Sequence, residues 1–268
     1  MHIGRIELVI HEDGSAPDRK KSIAATYNRM ARSLEKHGKS GEAFAMVTKA
    51  LEMQLEELGP DDPTVARTYQ VLAHNLKNQG KLEDAHANHE KSLAINLKRA
   101  AAEPDNHRVQ LSLATNYNSI AVLHDMQGHK DVALELYKKV LKLREEHVPL
   151  VDRGQIRSHQ LGLADIAMAH NNIAGVLATQ GPTEQVEAMD MFKKALAIKL
   201  KAFGPNHTSV GNTYEGIGTL LFAQGKLGEA KIMYKKALVI ALHAFDKNHP
   251  DVKELQVNMS KVNQALAQ

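Results

Sequence analysis

The residues in this sequence best equipped for chemistry are histidines. Fifteen are present, and three of them, His74, His86 and His89, can be drawn together. His86 and His89 lie one helical turn apart and His74 falls on the preceding antiparallel helix, so their imidazoles could share a metal ion. The register argues for packing instead. His89 stands where Tyr137, Phe192 and Tyr234 stand elsewhere in the chain, His170 takes the place of a tyrosine, and His124 that of a leucine. No metal site is assigned. The string HGKSGE at 37–42 ends like a phosphate-binding loop. Ser33 stands where that loop needs its other glycine, and no strand precedes it. There is no cysteine, which removes disulfides, thiolate metal sites and thiol nucleophiles. No Ser/His/Asp order or paired carboxylates fall at catalytic spacing. The sequons at Asn206 and Asn258 have no secretory signal before them. The expectation is a protein that is not an enzyme and needs no cofactor.

The elements that carry these side chains follow from composition. Of 268 residues, 43% are hydrophobic but only 4% aromatic, with no tryptophan. That balance suits helices packed on helices better than a β-sandwich. A net charge of +3 from 34 basic and 31 acidic residues is too even to point to nucleic acid. No apolar run reaches the roughly 18 residues of a membrane span, so a cytoplasmic protein is expected, with no membrane partner.

Periodicity gives the architecture. Over Thr213–Ile240, apolar and small residues recur at helical spacing, stop at Gly225, and resume. Two short amphipathic helices joined by a tight turn are predicted. Aligning Gly38, Gly80, Gly128, Gly181 and Gly225 shows that this unit repeats. Eleven residues before these glycines stand Tyr27, Tyr69, Tyr117, His170 and Tyr214, and seven before stand Ala31, Ala73, Ala121, Ala174 and Gly218. After the turn come Ala43, Ala85, Ala133, Ala188 and Ala230, with a two-residue longer turn expected in the fourth unit. Small residues at these places predict close approach of facing helices. A repeat array follows.

Linkers such as GPDDP at 59–63, and those containing Asp105-Asn106-His107, Asn206-His207 and Asn248-His249-Pro250, predict capped helix starts. Five units are expected, at about 19–59, 60–103, 104–147, 155–204 and 205–246. A lead segment, 1–18, precedes them and a polar capping helix, 249–268, follows. The recurring doublets Lys138-Lys139, Lys193-Lys194 and Lys235-Lys236 read as a solvated face.

The motifs TYNRMA (26–31), QGKLEDA (79–85), QGKLGEA (224–230), YKKALVI (234–240) and GPDDP (59–63) resemble the tetratricopeptide repeat. The form is that of the 42-residue repeats of kinesin light chains and related arrays. The resemblance covers about residues 20–268. It implies an all-α right-handed superhelical solenoid of five hairpins plus a C-terminal capping helix, with the first helix of each hairpin lining a concave groove. It also implies a protein-interaction scaffold that binds an extended peptide there.

Helical spacing then selects groove residues. The first two units offer Asn28, Arg29, Arg32, Arg67, Gln70, His74 and Lys77. The later ones offer Asn118, Val122 and Met126, then Asn171 and Asn172, then Phe222. In resembling proteins, asparagines at such places clamp a peptide backbone, and amides both donate and accept. The basic early residues and the small apolar later ones (Gly175, Ala178, Gly216, Ala223) suggest a protein or peptide ligand with an acidic segment and a hydrophobic anchor. An alternative is a regulatory or self-associating module whose groove is filled by its own chain, through 1–18 or the 147–158 linker, or by another protomer.

Overall fold

A computed structural model describes residues 37–148 and 156–267, together with 23, 25–31, 33 and 34. The lead segment 1–18, Arg32 and most of the 147–158 linker lie outside these residues. Residues 25–31 are helical. After them come α1 (Ser40–Leu58), α2 (Pro63–Asn78), α3 (Leu82–Ala102), α4 (His107–Met126) and α5 (Lys130–His147). Next are α6 (Ile156–Ala178), α7 (Pro182–Phe203), α8 (Thr208–Ala223), α9 (Leu227–Ala244) and α10 (Pro250–Leu266). There is no strand among the described residues. The chain forms two compact units, Met1–Ala102 and Glu103–Gln268. In the first, α2 pairs with α3 and packs on α1. In the second, α4/α5, α6/α7 and α8/α9 are hairpins stacked in order, and α10 lies on α9.

The small residues of the repeat do what their spacing predicts. Ala31 and Ala43, Ala73 and Ala85, Ala121 and Ala133, and Ala174 and Ala188 are all fully buried. A Cβ at Gly218 would lie 3.0 Å from the Tyr234 ring. Larger side chains such as Tyr137, Phe192 and Tyr234 fill the space beside them, and each such burial stabilises by roughly 1.5–3 kcal/mol.

Four of the five turns share one joint. Gly38, Gly80, Gly128 and Gly225 have φ between 72° and 83°. The residue after each donates its N–H to the carbonyl five positions back: Lys39 to Leu34, Lys81 to Leu76, His129 to His124 and Lys226 to Leu221. This closes the first helix, and glycine reaches that φ without a Cβ penalty. The fourth turn differs. Gly181 has φ −72° and is the N-cap of α7, with Pro182 in the first helical turn. The extra residues sit inside the first turns of α7, which corrects the expectation of a longer loop.

Helix starts are capped as the linkers suggest, with one change of residue. Asp62 accepts from the Thr64 N–H at 2.7 Å, and Asn106 from Arg108 and Val109. At α8 and α10 the caps are the histidines themselves. His207 Nδ1 accepts from the Ser209 N–H at 3.2 Å, and His249 Nδ1 from the Asp251 N–H at 3.3 Å. Each imidazole also stacks on the phenylalanine four residues before it, at 4.5 Å for Phe203 and 4.0 Å for Phe245.

The lysines of the second helices are not simply solvated. Lys49, Lys91 and Lys236 hold their ammonium groups 5.7, 5.5 and 5.1 Å from the ring centroids of Tyr27, Tyr69 and Tyr214. Such contacts contribute about 0.5–1 kcal/mol at exposed sites. The Tyr–Lys pair therefore recurs in three of the repeats, and Lys236 makes it while staying on the exposed face that its doublet predicts.

Candidate binding face

In the second unit the first helices lie side by side, with α6 touching α8 directly as well as through α7. Polar residues ten positions before the turn glycines join them. Asn172 Nδ2 donates to Asn118 Oδ1 at 3.1 Å, linking α6 to α4. Thr213 Oγ1 donates to Asn171 Oδ1 at 3.3 Å, linking α8 to α6. Asn258 Nδ2 donates to Glu215 Oε1 at 3.4 Å, linking α10 to α8. The first unit repeats the device: Asn28 Nδ2 donates to Thr68 Oγ1 at 2.8 Å. In the second unit Asn118, Asn172 and Asn171 thus lie on hydrogen bonds that join α4, α6 and α8. These amides are tied to a neighbouring hairpin, and Asn28 in the first unit is buried as well.

Asn118, Asn171 and Asn172 are half-buried. Asn28 is 7% exposed, which moves it from the ligand-facing set to the inter-hairpin seam. Arg29, Arg67 and His74 are exposed and Lys77 is half-buried, all on first helices of the first unit. Gln70 is half-buried. Met126 is 57% exposed at the end of α4. Val122 and Phe222 pack against the core of the second unit. Arg32 lies outside the described residues.

The small-residue patch divides: Gly216 and Ala178 pack, while Gly175 and Ala223 are exposed. A Cβ at Gly216 would come within 2.6 Å of the Phe192 ring, so this glycine makes room for α7. Ala178 belongs to the core, whereas Gly175 is exposed with nothing within 4 Å of a built Cβ. Gly216→Ala should therefore cost about 1–3 kcal/mol through overpacking. Gly175→Ala should stabilise by up to about 1 kcal/mol. Chemical denaturation of the two variants checks both.

A second polar register escaped the sequence reading. Sixteen residues after the turn glycine, or eighteen in the fourth hairpin, stand Gln54, Asn96, Arg144, Lys199 and Ala241. All are buried. Arg144 pairs with Asp165 across α5 and α6. Lys199 Nζ donates to Thr213 Oγ1 at 2.8 Å, and burial pulls its ammonium down to about 8. The signal was available as a polar residue recurring at a register that Ala241 marks as apolar.

His89 and His170 behave as packing residues. His89 is 5% exposed, and burial, then His86, His74 and Lys77, hold it down at about 4. His170 is also lowered by burial, against the opposing Glu145 carboxylate at 3.7 Å. Among the described residues no group of three or more His, Asp or Glu is arranged to hold a metal. No helix there is long and apolar enough to cross a membrane.

The tetratricopeptide repeat pattern matches residues 22–98 and 165–242, and a second form of it matches 113–151. A search of curated protein sequences finds no relative of the chain. Among solved structures, BtubC (BKLC) from P. vanneervenii is similar at 20% identity and TM-score 0.59, over 95% of this chain and 85% of its own. "Kinesin light chain nearly identical TPR-like repeats" from Podosopora anserina match at 18% identity and TM-score 0.58, over 85% and 98%. The apo form of RapI matches at 16% identity and TM-score 0.65, over 91% and 83%. The repeated hairpins, their shared turn joint and these matches agree: the chain belongs to the tetratricopeptide repeat family, with the fold seen in kinesin-light-chain-like arrays.

Proposed function

We propose that the protein is a non-enzymatic interaction scaffold that binds an extended peptide segment along the first helices of its hairpins. The carrying observation is the Asn118–Asn172 and Asn171–Thr213 row. These amides are held in place by neighbouring hairpins before any ligand arrives, which lowers the ordering cost of binding. An amide with one edge held can offer the other to a backbone N–H or C=O of an extended chain. Exposed Arg29 and Arg67, with Lys77, favour an acidic segment on the first unit. Exposed Met126 offers a soft apolar contact on the second.

The test is selection of phage-displayed random dodecapeptides on the full chain, followed by calorimetric titration of the selected peptides. Selected sequences should be acidic. Asn171→Ala with Asn172→Ala should weaken peptides docked on the second unit, and Arg29→Glu with Arg67→Glu those docked on the first, each at least tenfold with far-UV helicity unchanged. Undiminished affinity in both double variants would overturn the assignment.

A further inference from the structure

Where the terminal helix meets the last hairpin, three carboxylates converge. Glu215 on α8 is half-buried, and Asn258 on α10 donates to its Oε1 at 3.4 Å. Asp251 and Glu254, both on α10, are the acidic groups acting on the same carboxyl. Glu215 and Asp251 together line a small surface crevice that Ile240, Phe245 and Leu255 also line. Among the described residues, the groups acting on Glu215 include no cation. From α7 the Phe192 ring packs against Gly216, and from α9 comes Tyr234, hydrogen-bonded through its hydroxyl to Thr219 at 3.0 Å. His249, the N-cap of α10, lies one step further out, with Nδ1 3.6 Å from Asp251 Oδ1.

We propose that α10 is a pH-sensitive latch: protonated Glu215 holds it against the last hairpin, and ionisation of Glu215 beside Asp251 and Glu254 loosens it and exposes the apolar end face beneath. The balance of forces supports this. Val252, Leu255 and Val262 are the buried residues that seat α10, so a local charge repulsion acts on a helix with few anchors. Burial first, then Glu254 and Asp251, push the Glu215 carboxyl up to about 7 from its usual value near 4.5, against the Asn258 hydrogen bond. A carboxyl raised in the closed state stabilises it fully below about 4.5, and that contribution is lost as pH rises through 7. If the whole shift vanished on opening, the opening constant would rise by two to three powers of ten. Solvent screening at a half-exposed site reduces this to about tenfold or more.

The experiment is hydrogen–deuterium exchange on the full chain at pH 5.5 to 8.5, corrected for intrinsic exchange, reading peptides within 252–266. It uses a His249→Asn background, in which a side-chain amide oxygen caps α10 in place of the imidazole. The opening constant of α10 should rise about tenfold between pH 5.5 and 8. With Glu215→Gln added it should stay low and flat, while α4 to α7 remain unchanged in both. A pH dependence that persists in Glu215→Gln, or is absent from the background protein, overturns the proposal. Should Glu215→Gln lose helicity, Asp251→Asn with Glu254→Gln provides the second arm. It should lower the midpoint of opening and its amplitude, and an unchanged profile would likewise overturn the latch. The outcome is independent of whether the first-helix face binds peptides.

Discussion

Phenylalanine in place of His89 is expected to remove most of the acid sensitivity of the second hairpin. His89 is 5% exposed, and burial is the main reason its imidazole stays neutral down to about 4. The sign follows from linkage. The unfolded chain takes up a proton below about 6.5 and the folded chain does so only near 4, so stability is lost as pH falls through that window. A shift of this size corresponds to about 3 kcal/mol at pH 4. In the third to fifth hairpins the same register holds Tyr137, Phe192 and Tyr234, all buried, so the site accepts an aromatic ring. His89 Nδ1 has no hydrogen-bond partner to lose. Exchange protection of α2 and α3 between pH 4 and 7 should fall in the native chain and stay level in His89→Phe. Parallel profiles for the two proteins would refute the account.

Methionine at Lys199 is the second large effect, with the opposite pH sense. The lysine is 5% exposed, its described partner is the neutral Thr213 hydroxyl, and its ammonium is lowered to about 8 by burial. A base lowered in the folded state destabilises it at every pH below about 8, and this relaxes as pH rises toward 10.5. The shift amounts to about 3 kcal/mol. Methionine keeps the stem volume and removes the charge. Thr213 retains Asn171 Oδ1 and the Ser209 carbonyl. Lys199→Met should therefore stabilise the fourth and fifth hairpins by about 2 kcal/mol at pH 7, and the gain should shrink above pH 9. Urea unfolding followed by exchange in α7 and α8 reads this directly. Global midpoints alone mislead, since repeat arrays need not unfold in one step. A less stable variant at pH 7 would show that the Lys199–Thr213 bond outweighs the burial of the charge.

Much of the fold was legible because it is local. Alanine facing alanine across a turn glycine, as at Ala73 and Ala85, is a statement about spacing that needs no distant information. The caps were half legible: the linkers marked the helix starts, but a histidine accepting through Nδ1 at His207 and His249 depends on a ring stacked on Phe203 or Phe245. Gly181 looked like its four counterparts because a one-letter alignment does not carry φ. The face was less legible still. Asn28 reads as a groove residue until Thr68, forty residues away, takes its amide. Gly216 reads as an opening until Phe192 fills it. Both outcomes are decided by the neighbouring hairpin, which a helical wheel drawn for one helix does not contain.

The buried polar register of the second helices also bears on assembly order. It holds Gln54, Asn96, Arg144, Lys199 and Ala241, so no two hairpins present the same group there. Arg144 meets Asp165 and Lys199 meets Thr213, each on the next first helix. Hairpins that stacked out of sequence, or traded places between two chains, would bury a guanidinium or an ammonium against the wrong surface. A buried charge without its partner costs several kcal/mol. The alanines and tyrosines that make the hairpins alike would let them shuffle, and this one unlike position gives each hairpin its own address.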